Sequence, residues 1–279
     1  ISTEMPVGIE YNSGISAQLK SAVIFAGLNS FANTKIIETK KSRDHTENLL
    51  KKNIQAIKIK EGKNKLIQIF GKKYLDPLKI NIPGDPSSAA FFSALTLLNK
   101  SSTLKINNVG LNPTRIGFYQ LLKKFGAKIS FKDLKRNNNE IYGNIVVRSS
   151  KIKPIKASKE FYVKSTDEYP ILFVIAGLTK GTSIFKGISD LANKESNRIK
   201  EMQKILKQIG IKSVASQNMI KIYGKKFEKR KNFKINVPNL GDHRICMSAL
   251  ILSLITGVKC KIKNFETVFT SSPSFLEIV

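Results

Sequence analysis

The chain has few acidic residues, little histidine or cysteine, and no tryptophan. Its 279 residues contain 20 Asp and Glu against 48 Lys and Arg, with two His and two Cys. Two cysteines exclude the disulfide framework of a small secreted domain, and Cys246 and Cys260 both lie in apolar segments. We therefore expect buried, reduced thiols and a cytoplasmic location. So few histidines and cysteines offer no cluster of metal ligands, and we predict no metal site.

Long hydrophobic runs are also missing. No apolar stretch approaches the roughly 18 residues that span a bilayer, so we expect no association with a membrane. The first residue is Ile1, and no basic and then apolar leader follows it, so we expect no secretory signal. The hydrophobic fraction of 41% still excludes a disordered basic tail and predicts one large folded domain or two of ordinary size.

The formal charge of +28 comes almost entirely from lysine. Arginine, which recognises phosphate groups and base edges by paired hydrogen bonds, occurs at only seven positions. The lysines are spread along the chain, and most aromatic residues are Phe within apolar runs rather than stacking platforms between basic residues. We interpret this charge mainly as generic surface lysine, with electrostatic attraction of an anionic ligand as the alternative, and we expect no nucleic-acid partner. A nucleic-acid-binding protein with a lysine-rich surface stays an alternative, which would show steeply salt-dependent binding.

Four segments of the chain follow one plan. Each reads as a polar turn, an apolar helix, a strand, a polar turn, an amphipathic helix and one or two further strands. The apolar helices begin near Ser16, Pro86, Asp167 and Asp242. This alternation of helices and strands predicts an α/β fold built from a repeated unit, close to β-α-β-α-β-β.

The residue pattern of each element predicts where it lies. The first helix of every unit is nearly apolar all round and should be interior. The second helix of the third unit is one-sided and should lie at the surface, with an inner face of Ile199, Met202, Ile205, Leu206 and Ile209. Gly126 and Gly210 follow helix ends and predict left-handed caps. Alternating or β-branched residues predict strands at 102–109, 141–147 and 217–223.

Polar residues that interrupt these patterns lie at the front of each helix. Helix N-termini present free N–H groups and the positive end of a dipole, which suit anions. If the units pack around a common axis, the polar turns converge. The repeat therefore predicts an anion-binding site made from several turns.

Seven short motifs occur in a characteristic order over the whole chain. They are SAQLK at 16–20, RDHTE at 43–47, PGDPSSAAFF at 83–92, NPTR at 112–115, DEYP at 167–170, KESNR at 194–198 and DHR at 242–244. In these motifs the chain resembles the 5-enolpyruvylshikimate-3-phosphate synthase (3-phosphoshikimate 1-carboxyvinyltransferase) family. SAQLK, RDHTE and NPTR are similar to the second class of that family, whose members tend to tolerate glyphosate.

The resemblance implies the enolpyruvyl transferase fold, a two-domain, inside-out α/β barrel in which each domain contains three βαβαββ units. Four of the six units would be present. Residues 1–80 would be the last unit of the first, split domain, and residues 81–279 would be the three-unit second domain. We therefore expect a piece of a longer, monomeric protein, and we expect this piece alone to be inactive.

The activity that the resemblance implies joins phosphoenolpyruvate to the 5-hydroxyl group of shikimate 3-phosphate and releases phosphate. It belongs to the shikimate pathway, which leads to chorismate and the aromatic amino acids. The reaction needs groups that give and take protons, and cations for two phosphates and a carboxylate. The resemblance implies no metal ion and no organic cofactor.

By resemblance, two carboxylates carry the proton transfers. Asp167 would accept the proton of the 5-hydroxyl group, and Glu195 would act as acid and base at the reacting carbon. The pattern of residues by itself leaves other interpretations open. Asp167 would also serve as a helix N-cap, and Glu195 as a solvated residue of a first helical turn.

The remaining matched positions would bind the two substrates. Shikimate 3-phosphate would contact Ser16, Ala17, Gln18, Ser42, Arg43, Asp167 and Lys194. Phosphoenolpyruvate would contact Gln18, Arg198 and Arg244, because a planar guanidinium can hold a carboxylate or phosphate by two hydrogen bonds. Surface ion pairs are the alternative for the two arginines. Asp242 and His243 flank the second arginine and are expected to support the site rather than react.

The sequence departs from the family pattern at two positions, and rival functions stay open. Asn197 stands where the family usually has Asp, which predicts a looser orientation of Arg198. Thr270 stands where some members have a lysine for phosphoenolpyruvate. The closest rival is the sister enolpyruvyl transferase that acts on UDP-N-acetylglucosamine, and a non-catalytic fragment that keeps the fold is another.

Overall fold

The first repeat unit supplies one four-stranded sheet and two helices. The computed structural model describes residues 6–228, 230 and 232–279. The elements of this unit are β1 (Glu10–Ser13), α1 (Ala17–Asn29), β2 (Thr34–Glu38), α2 (His45–Leu50), β3 (Ile57–Lys60) and β4 (Lys65–Ile69). Strands β1 and β2 pair in parallel, β4 is antiparallel to both β2 and β3, and the sheet order is β1-β2-β4-β3.

The second unit repeats this arrangement with a shortened first strand. Its elements are α3 (Pro86–Leu98), β5 (Thr103–Gly110), α4 (Gly117–Lys124), β6 (Lys128–Asn137) and β7 (Glu140–Arg148). The sheet order is β5-β7-β6. A single parallel bridge from Gly84 to Val109 occupies the place of the first strand. With that bridge counted, the order matches the first sheet.

The third unit again has the same sheet order, with an extra helix inserted. Its elements are β8 (Lys156–Ala157), α5 (Lys159–Ser165), α6 (Tyr169–Leu178), β9 (Gly181–Lys186), α7 (Arg198–Gln208), β10 (Lys212–Ser216) and β11 (Met219–Gly224). Two 3₁₀ turns, Thr166–Glu168 and Ser189–Asn193, precede α6 and α7. Strand β8 is parallel to β9, β11 is antiparallel to its two neighbours, and the order is β8-β9-β11-β10.

The fourth unit begins in the same way and is shorter. Its elements are β12 (Ile235–Val237), α8 (His243–Thr256), β13 (Cys260–Ile262) and α9 (Phe275–Ile278), with a 3₁₀ turn at Phe265–Val268 before α9. Strands β12 and β13 pair in parallel, as the first two strands of the other units do. The predicted fourfold repeat and the predicted strands are therefore confirmed, the strands to within two residues at either end.

Three of the four apolar helices are interior, as predicted. Helices α3, α6 and α8 pack against one another, and every residue of α6 from Tyr169 to Gly177 is buried. The predicted inner face of α7 is buried as well, from Ile199 to Ile209. Gly126 and Gly210 have φ angles of +98° and +73°, so both helix ends take the left-handed backbone that glycine permits.

Helix α1 departs from the prediction that every apolar helix is interior. One face of α1 packs on strands β1, β2 and β4, and Ile24 is fully buried there. The opposite face leaves Leu19 and Phe25 with 59% and 49% of their surface exposed. A sheet covers only one side of a helix, and within the described part of the chain no helix packs on α1 as closely as α3, α6 and α8 pack on one another.

Contacts along the chain divide it into two compact units, which are distinct from the four repeat units and are called unit 1 and unit 2. Unit 1 comprises the chain up to Pro83 together with Gly110–Arg115 and Leu134–Tyr142. Unit 2 comprises Gly84–Val109, Ile116–Asp133 and Gly143–Val279. The predicted domains, 1–80 and 81–279, stay a prediction, and the first five residues lie outside the described part. Among the described residues, no helix has both the length and the apolar character to cross a membrane.

The packing of α6 predicts a large penalty for a cavity there. We expect Leu172→Ala, at a fully buried position, to lower the unfolding free energy by about 2–5 kcal/mol, because lost burial and a residual cavity add. Leu254→Ala in α8 is the matched control, since Leu254 is 44% exposed, and it should change stability by about 0.5 kcal/mol or less. Urea denaturation followed by circular dichroism measures both. Equal losses would contradict the packing described.

Candidate active site

Arg198 is a buried arginine at the centre of a charge cluster in unit 2. It is the first residue of α7, and only 1% of its side chain is exposed. Its Nε donates to Asp242 Oδ2 at 2.9 Å, and its Nη2 donates to Glu195 Oε2 at 2.6 Å. Its Nη1 lies 3.8 Å from Asp167 Oδ1. We call Asp167, Glu195, Arg198 and Asp242 the Arg198 cluster; it contains both carboxylates predicted to transfer protons.

Asp242 fixes the guanidinium and the next helix at the same time. It is fully buried and is the N-cap of α8, where Oδ1 accepts hydrogen bonds from the N–H groups of Arg244 (3.0 Å) and Ile245 (3.4 Å). Its Oδ2 also accepts a hydrogen bond from Ser196 Oγ at 2.8 Å. Burial alone would lower the pKa of Arg198, but the hydrogen bond and charge of Asp242 raise that pKa above its ordinary value. The Arg198 guanidinium therefore stays protonated.

Asp167 and Glu195 do not occupy the positions that the alternative interpretations, a helix N-cap and a first helical turn, predicted. Asp167 lies inside the 3₁₀ turn Thr166–Glu168, and the N-cap of α6 is Glu168, so the N-cap interpretation of Asp167 is wrong. Glu195 precedes α7 by three residues, so it is not in a first helical turn. The Asp167 and Glu195 side chains are 24% and 47% exposed, which leaves both accessible from solvent.

Arg244 is the second buried arginine of this unit. It is 8% exposed, its Nη2 lies 3.9 Å from Asp85 Oδ2, and its guanidinium carbon lies 5.9 Å from the centre of the Phe91 ring. With both arginines buried, the surface ion-pair alternative is wrong. Arg198 Nη1 and Arg244 Nε are buried and form no hydrogen bond within the described part of the chain. Each retains a donor that an anion could satisfy.

Lys194 is held by a neighbouring carboxylate rather than by the Arg198 cluster. Its Nζ lies 2.8 Å from Asp190 Oδ2, which also accepts a hydrogen bond from the Tyr162 hydroxyl at 2.7 Å. Burial would raise the pKa of Asp190, but the hydrogen bonds of Lys194 and Tyr162 lower it below its ordinary value. Lys194 therefore lies one residue from Glu195 in the chain with its charge directed to a separate partner.

In unit 1, three predicted residues lie at one helix N-terminus. Ser16 is the N-cap of α1, where its Oγ accepts a hydrogen bond from Leu19 N at 3.3 Å. Ala17 is the first residue of α1, and Gln18 follows with an exposed side chain. The start of a 13-residue helix offers N–H groups and a positive dipole end to an anion.

The other two predicted residues of unit 1 lie in the turn that follows β2. Ser42 is buried, and its N–H and Oγ both donate to Glu38 Oε1, at 3.0 and 2.7 Å. Arg43 follows as a half-buried residue. The Ser42 hydroxyl proton is thus already used within the protein, whereas its oxygen lone pairs can still accept.

Glu38 belongs to a buried charge quartet that the sequence analysis did not predict. Lys20 Nζ lies 2.7 Å from Glu38 Oε1 and 2.6 Å from Glu47 Oε1, and Lys65 Nζ lies 3.0 Å from Glu47 Oε1. Every member is at most 8% exposed, and two lysines balance two glutamates. Burial would raise the pKa of Glu38, but hydrogen bonds from Lys20 and Ser42 lower it, so Glu38 is ionised at neutral pH.

The candidate site residues described in unit 1 and unit 2 include no metal-ligand group and no disulfide. The described residues contain no group of three or more His, Cys, Asp or Glu side chains arranged to hold a metal ion. Cys246 is buried, whereas Cys260 is only half-buried, and both are free. Burial raises the pKa of each thiol to about 11, which keeps both protonated at neutral pH.

Comparison with known proteins decides the family. The sequence model of the family EPSP synthase (3-phosphoshikimate 1-carboxyvinyltransferase) matches residues 5–279. The chain belongs to the EPSP synthase family. Among curated 3-phosphoshikimate 1-carboxyvinyltransferases, the chain is 39% identical to that of Caldicellulosiruptor bescii over 272 residues and 36% identical to that of Bacillus subtilis over 271 residues. Each alignment covers 97% of this chain and 62% of the relative.

Solved structures confirm the predicted fold. An EPSP synthase from Acinetobacter baumannii superposes with a TM-score of 0.83 at 33% identity, covering 98% of this chain and 62% of the other. An enolpyruvyl transferase from Streptomyces tendae has a TM-score of 0.73 at 11% identity, which shows the shared fold alone. The chain thus has the fold of EPSP synthases and spans about 62% of the length of the curated relatives.

The two departures from the EPSP synthase pattern have clear places in the structure. Asn197 is the N-cap of α7, where its side chain accepts a hydrogen bond from Lys200 N at 3.0 Å. Asp242 and Glu195 accept hydrogen bonds from the Arg198 guanidinium, and the looser orientation expected from Asn197 stays a prediction. Thr270 is exposed and donates its hydroxyl to the carbonyl of Thr267 at 2.8 Å.

Glu168 and the buried quartet are among the polar residues that the sequence analysis missed. Glu168 is buried and accepts a hydrogen bond from the Ser87 hydroxyl. A signal for the quartet was available, because Lys20 interrupts an apolar helix and Glu38 ends a largely apolar strand. A charge at such a position needs a partner when it is buried. The identity of that partner does not follow from the local pattern.

The Arg198–Asp242 contact predicts a large loss of stability when its charge is removed. We expect Asp242→Asn to lower the unfolding free energy by about 3–5 kcal/mol, because a buried guanidinium loses its fully buried countercharge while the N-cap is kept. Glu201→Gln, which disrupts the surface pair with Lys204 (2.7 Å), should cost about 1 kcal/mol or less. Urea denaturation of both variants tests this, and a small effect of Asp242→Asn would contradict it.

The lowered pKa of His243 predicts that stability depends on pH at values above those at which carboxylates titrate. Burial and the charge of Arg244 lower the pKa of His243, while Asp242 and Glu195 oppose the effect and Arg198 adds to it. The unfolded chain therefore binds this proton at higher pH than the folded chain, and stability falls as pH drops below about 6.5. Thermal unfolding between about pH 7.5 and 5.5 should show a smaller loss for His243→Gln than for the wild type. Equal losses would contradict the assignment.

Proposed function

We propose that the whole protein transfers the enolpyruvyl (1-carboxyvinyl) group of phosphoenolpyruvate to the 5-hydroxyl group of shikimate 3-phosphate and releases phosphate. This places it in the shikimate pathway, which leads to chorismate and the aromatic amino acids. One observation carries the proposal: Asp167 and Glu195 both contact the buried Arg198, at 3.8 and 2.6 Å. Two proton-transfer groups thus lie beside one cation that can hold an anionic substrate.

The chemistry follows from the charges that form during the reaction. A proton adds to the methylene carbon of phosphoenolpyruvate, and the 5-hydroxyl oxygen bonds to the adjacent carbon. Asp167 takes the hydroxyl proton. Phosphate then leaves as a proton is removed from the new methyl group, which restores the double bond. Glu195 delivers and removes the protons at carbon, and a carboxylate half exposed to solvent can exchange protons between turnovers.

The cationic residues bind the substrates in this proposal. Arg198 and Arg244 hold phosphoenolpyruvate, and each has a buried donor without a hydrogen bond in the described chain. Lys194 contacts shikimate 3-phosphate from the same unit. The residues of unit 1 bind the rest of that substrate and, through Gln18, also phosphoenolpyruvate. They are Ser16, Ala17, Gln18, Ser42 and Arg43. No metal ion or organic cofactor takes part in the proposed reaction.

The proposal includes the organisation of the whole protein. Residues 1–80 form the last unit of one domain and residues 81–279 form the three units of the other. We place the protein in the cytoplasm as a monomer without nucleic-acid or membrane partners. Activity is proposed for the whole protein because the chain spans 62% of its curated relatives, and we expect the chain alone to be inactive. The sister activity on UDP-N-acetylglucosamine is less well supported, since the matched curated relatives carry the shikimate 3-phosphate name.

A phosphate-release assay on the full-length gene product tests the proposal. We expect release that requires both substrates, and a loss of kcat of about 100-fold or more in Asp167→Asn and in Glu195→Gln, because each removes a proton-transfer group. Glu201→Gln, an exchange of the same type in a surface ion pair, should retain wild-type kcat. Release with UDP-N-acetylglucosamine in place of shikimate 3-phosphate, or unchanged kcat in both variants, would contradict the proposal.

A further inference from the structure

The turn that carries Arg43 is held from both sides by buried or half-buried polar groups. Ser42 is bound to Glu38 on one side, and Asp44 is bound to Asn112 on the other. We infer that Glu38 and Asn112 are positioning residues, which hold the Arg43 guanidinium in place for the phosphate group of shikimate 3-phosphate. The inference rests on the proposed function, in which Arg43 binds that phosphate. It concerns unit 1 alone, since all of these residues belong to it.

Glu38 anchors the N-terminal side of the turn. One carboxylate oxygen accepts both the N–H and the hydroxyl of Ser42, at 3.0 and 2.7 Å. Two hydrogen bonds from one residue fix its backbone as well as its side chain. Because both residues are 2% exposed, water does not compete for these bonds.

The buried quartet makes Glu38 a rigid anchor. Lys20 binds the same Oε1 oxygen at 2.7 Å and continues to Glu47, which also binds Lys65. The quartet joins α1, β2, α2 and β4. A rotation of the Glu38 carboxylate would separate opposite charges, which is costly where those charges are buried. The position of Ser42 therefore follows from the core of unit 1.

Asn112 anchors the C-terminal side of the turn. It is 3% exposed, and its Nδ2 donates to Asp44 Oδ1 at 2.8 Å and to Glu140 Oε2 at 2.9 Å. Its Oδ1 accepts the N–H and the hydroxyl of Thr114, at 2.8 and 2.7 Å. Both amide hydrogens and the amide oxygen are thus used. This pattern fixes the orientation of the amide, because the reverse orientation would direct its oxygen at two carboxylates.

Glu140 in turn holds Asn112 in place. Its Oε1 accepts hydrogen bonds from Asn48 Nδ2 at 3.0 Å and lies 2.9 Å from His45 Nδ1. Burial would raise the pKa of Glu140, but the hydrogen bonds of His45, Asn48 and Asn112 lower it, so the carboxylate is ionised at neutral pH. The anchor of Asp44 therefore includes groups from the helix that follows the turn.

Fixing both neighbours of Arg43 matters because of how arginine binds phosphate. A guanidinium holds a phosphate by paired hydrogen bonds in a defined geometry, and a mobile backbone would lose part of the binding free energy when it becomes ordered. Supporting residues that hold the backbone before the ligand arrives avoid this loss. The inference also gives one role to parts of three motifs, SAQLK, RDHTE and NPTR, which supply Lys20, Asp44, Asn112 and Thr114.

Calorimetric titration of shikimate 3-phosphate into the full-length gene product tests the inference without turnover. We expect Asn112→Ala to raise the Kd about tenfold or more, since the anchor of Asp44 is lost. Thr114→Val should weaken binding as well, and Thr114→Ser, which keeps the hydroxyl, should bind like the wild type. Asn144→Ala is the matched control, because Asn144 donates to Asp133 at 2.5 Å outside this network. Its Kd should be unchanged.

The double variant with Arg43→Ala separates positioning from a general effect on the fold. If Asn112 acts through Arg43, Asn112→Ala should change the Kd less than twofold in the Arg43→Ala background. The same weakening in both backgrounds would overturn the inference, as would an unchanged Kd in Asn112→Ala or in Arg43→Ala. Phosphate release is measured in parallel. If the Kd values change as predicted but no phosphate is released, the proposed function alone is contradicted. If phosphate is released but Asn112→Ala leaves the Kd unchanged, the inference alone is contradicted.

Discussion

The buried contact between Arg198 and Asp242 is the constraint on which the candidate site depends. A guanidinium that is 1% exposed must have a countercharge, and Asp242, itself fully buried, supplies it while capping α8. The contact therefore ties the start of α7 to the start of α8. Because the same guanidinium also meets Glu195 and Asp167, its position decides the spacing of the two proposed proton-transfer groups. The proposed function and the fold thus depend on one interaction here, and we expect a change at Asp242 to affect both.

Unit 1 also contains buried charges, and there they are neutralised in a different arrangement. Lys20 and Lys65 balance Glu38 and Glu47 within one core, and the resulting quartet is neutral. Such a group contributes little net stability compared with apolar packing, but it admits few alternative arrangements. In unit 2 the buried Arg198 contacts the accessible carboxylates of Asp167 and Glu195. In unit 1 the buried quartet contacts Ser42, the residue before Arg43, through Glu38. In both units buried charge fixes the place of a residue proposed to meet a substrate.

Much of the fold could be predicted from the sequence, because the repeat places apolar helices, one-sided helices and β-branched strands in a fixed order. The α7 face and the glycine caps follow from local spacing alone. The exposed face of α1 could not be predicted, since an apolar pattern says nothing about which partner covers it. The network around Asn112 is also beyond local reasoning, because Asn112 and Asp44 are 68 residues apart. The candidate site residues came from a family resemblance, and their roles stay proposals.

The central claim is that this arrangement carries enolpyruvyl transfer, and product identification tests it most directly. Phosphorus NMR of the full-length gene product with phosphoenolpyruvate and shikimate 3-phosphate follows both phosphorus-containing substrates and the free phosphate in one sample. The account predicts equal amounts of inorganic phosphate and of a new enolpyruvyl ether that keeps the 3-phosphate. Phosphate formed without the ether, or no change with a folded protein, would contradict it.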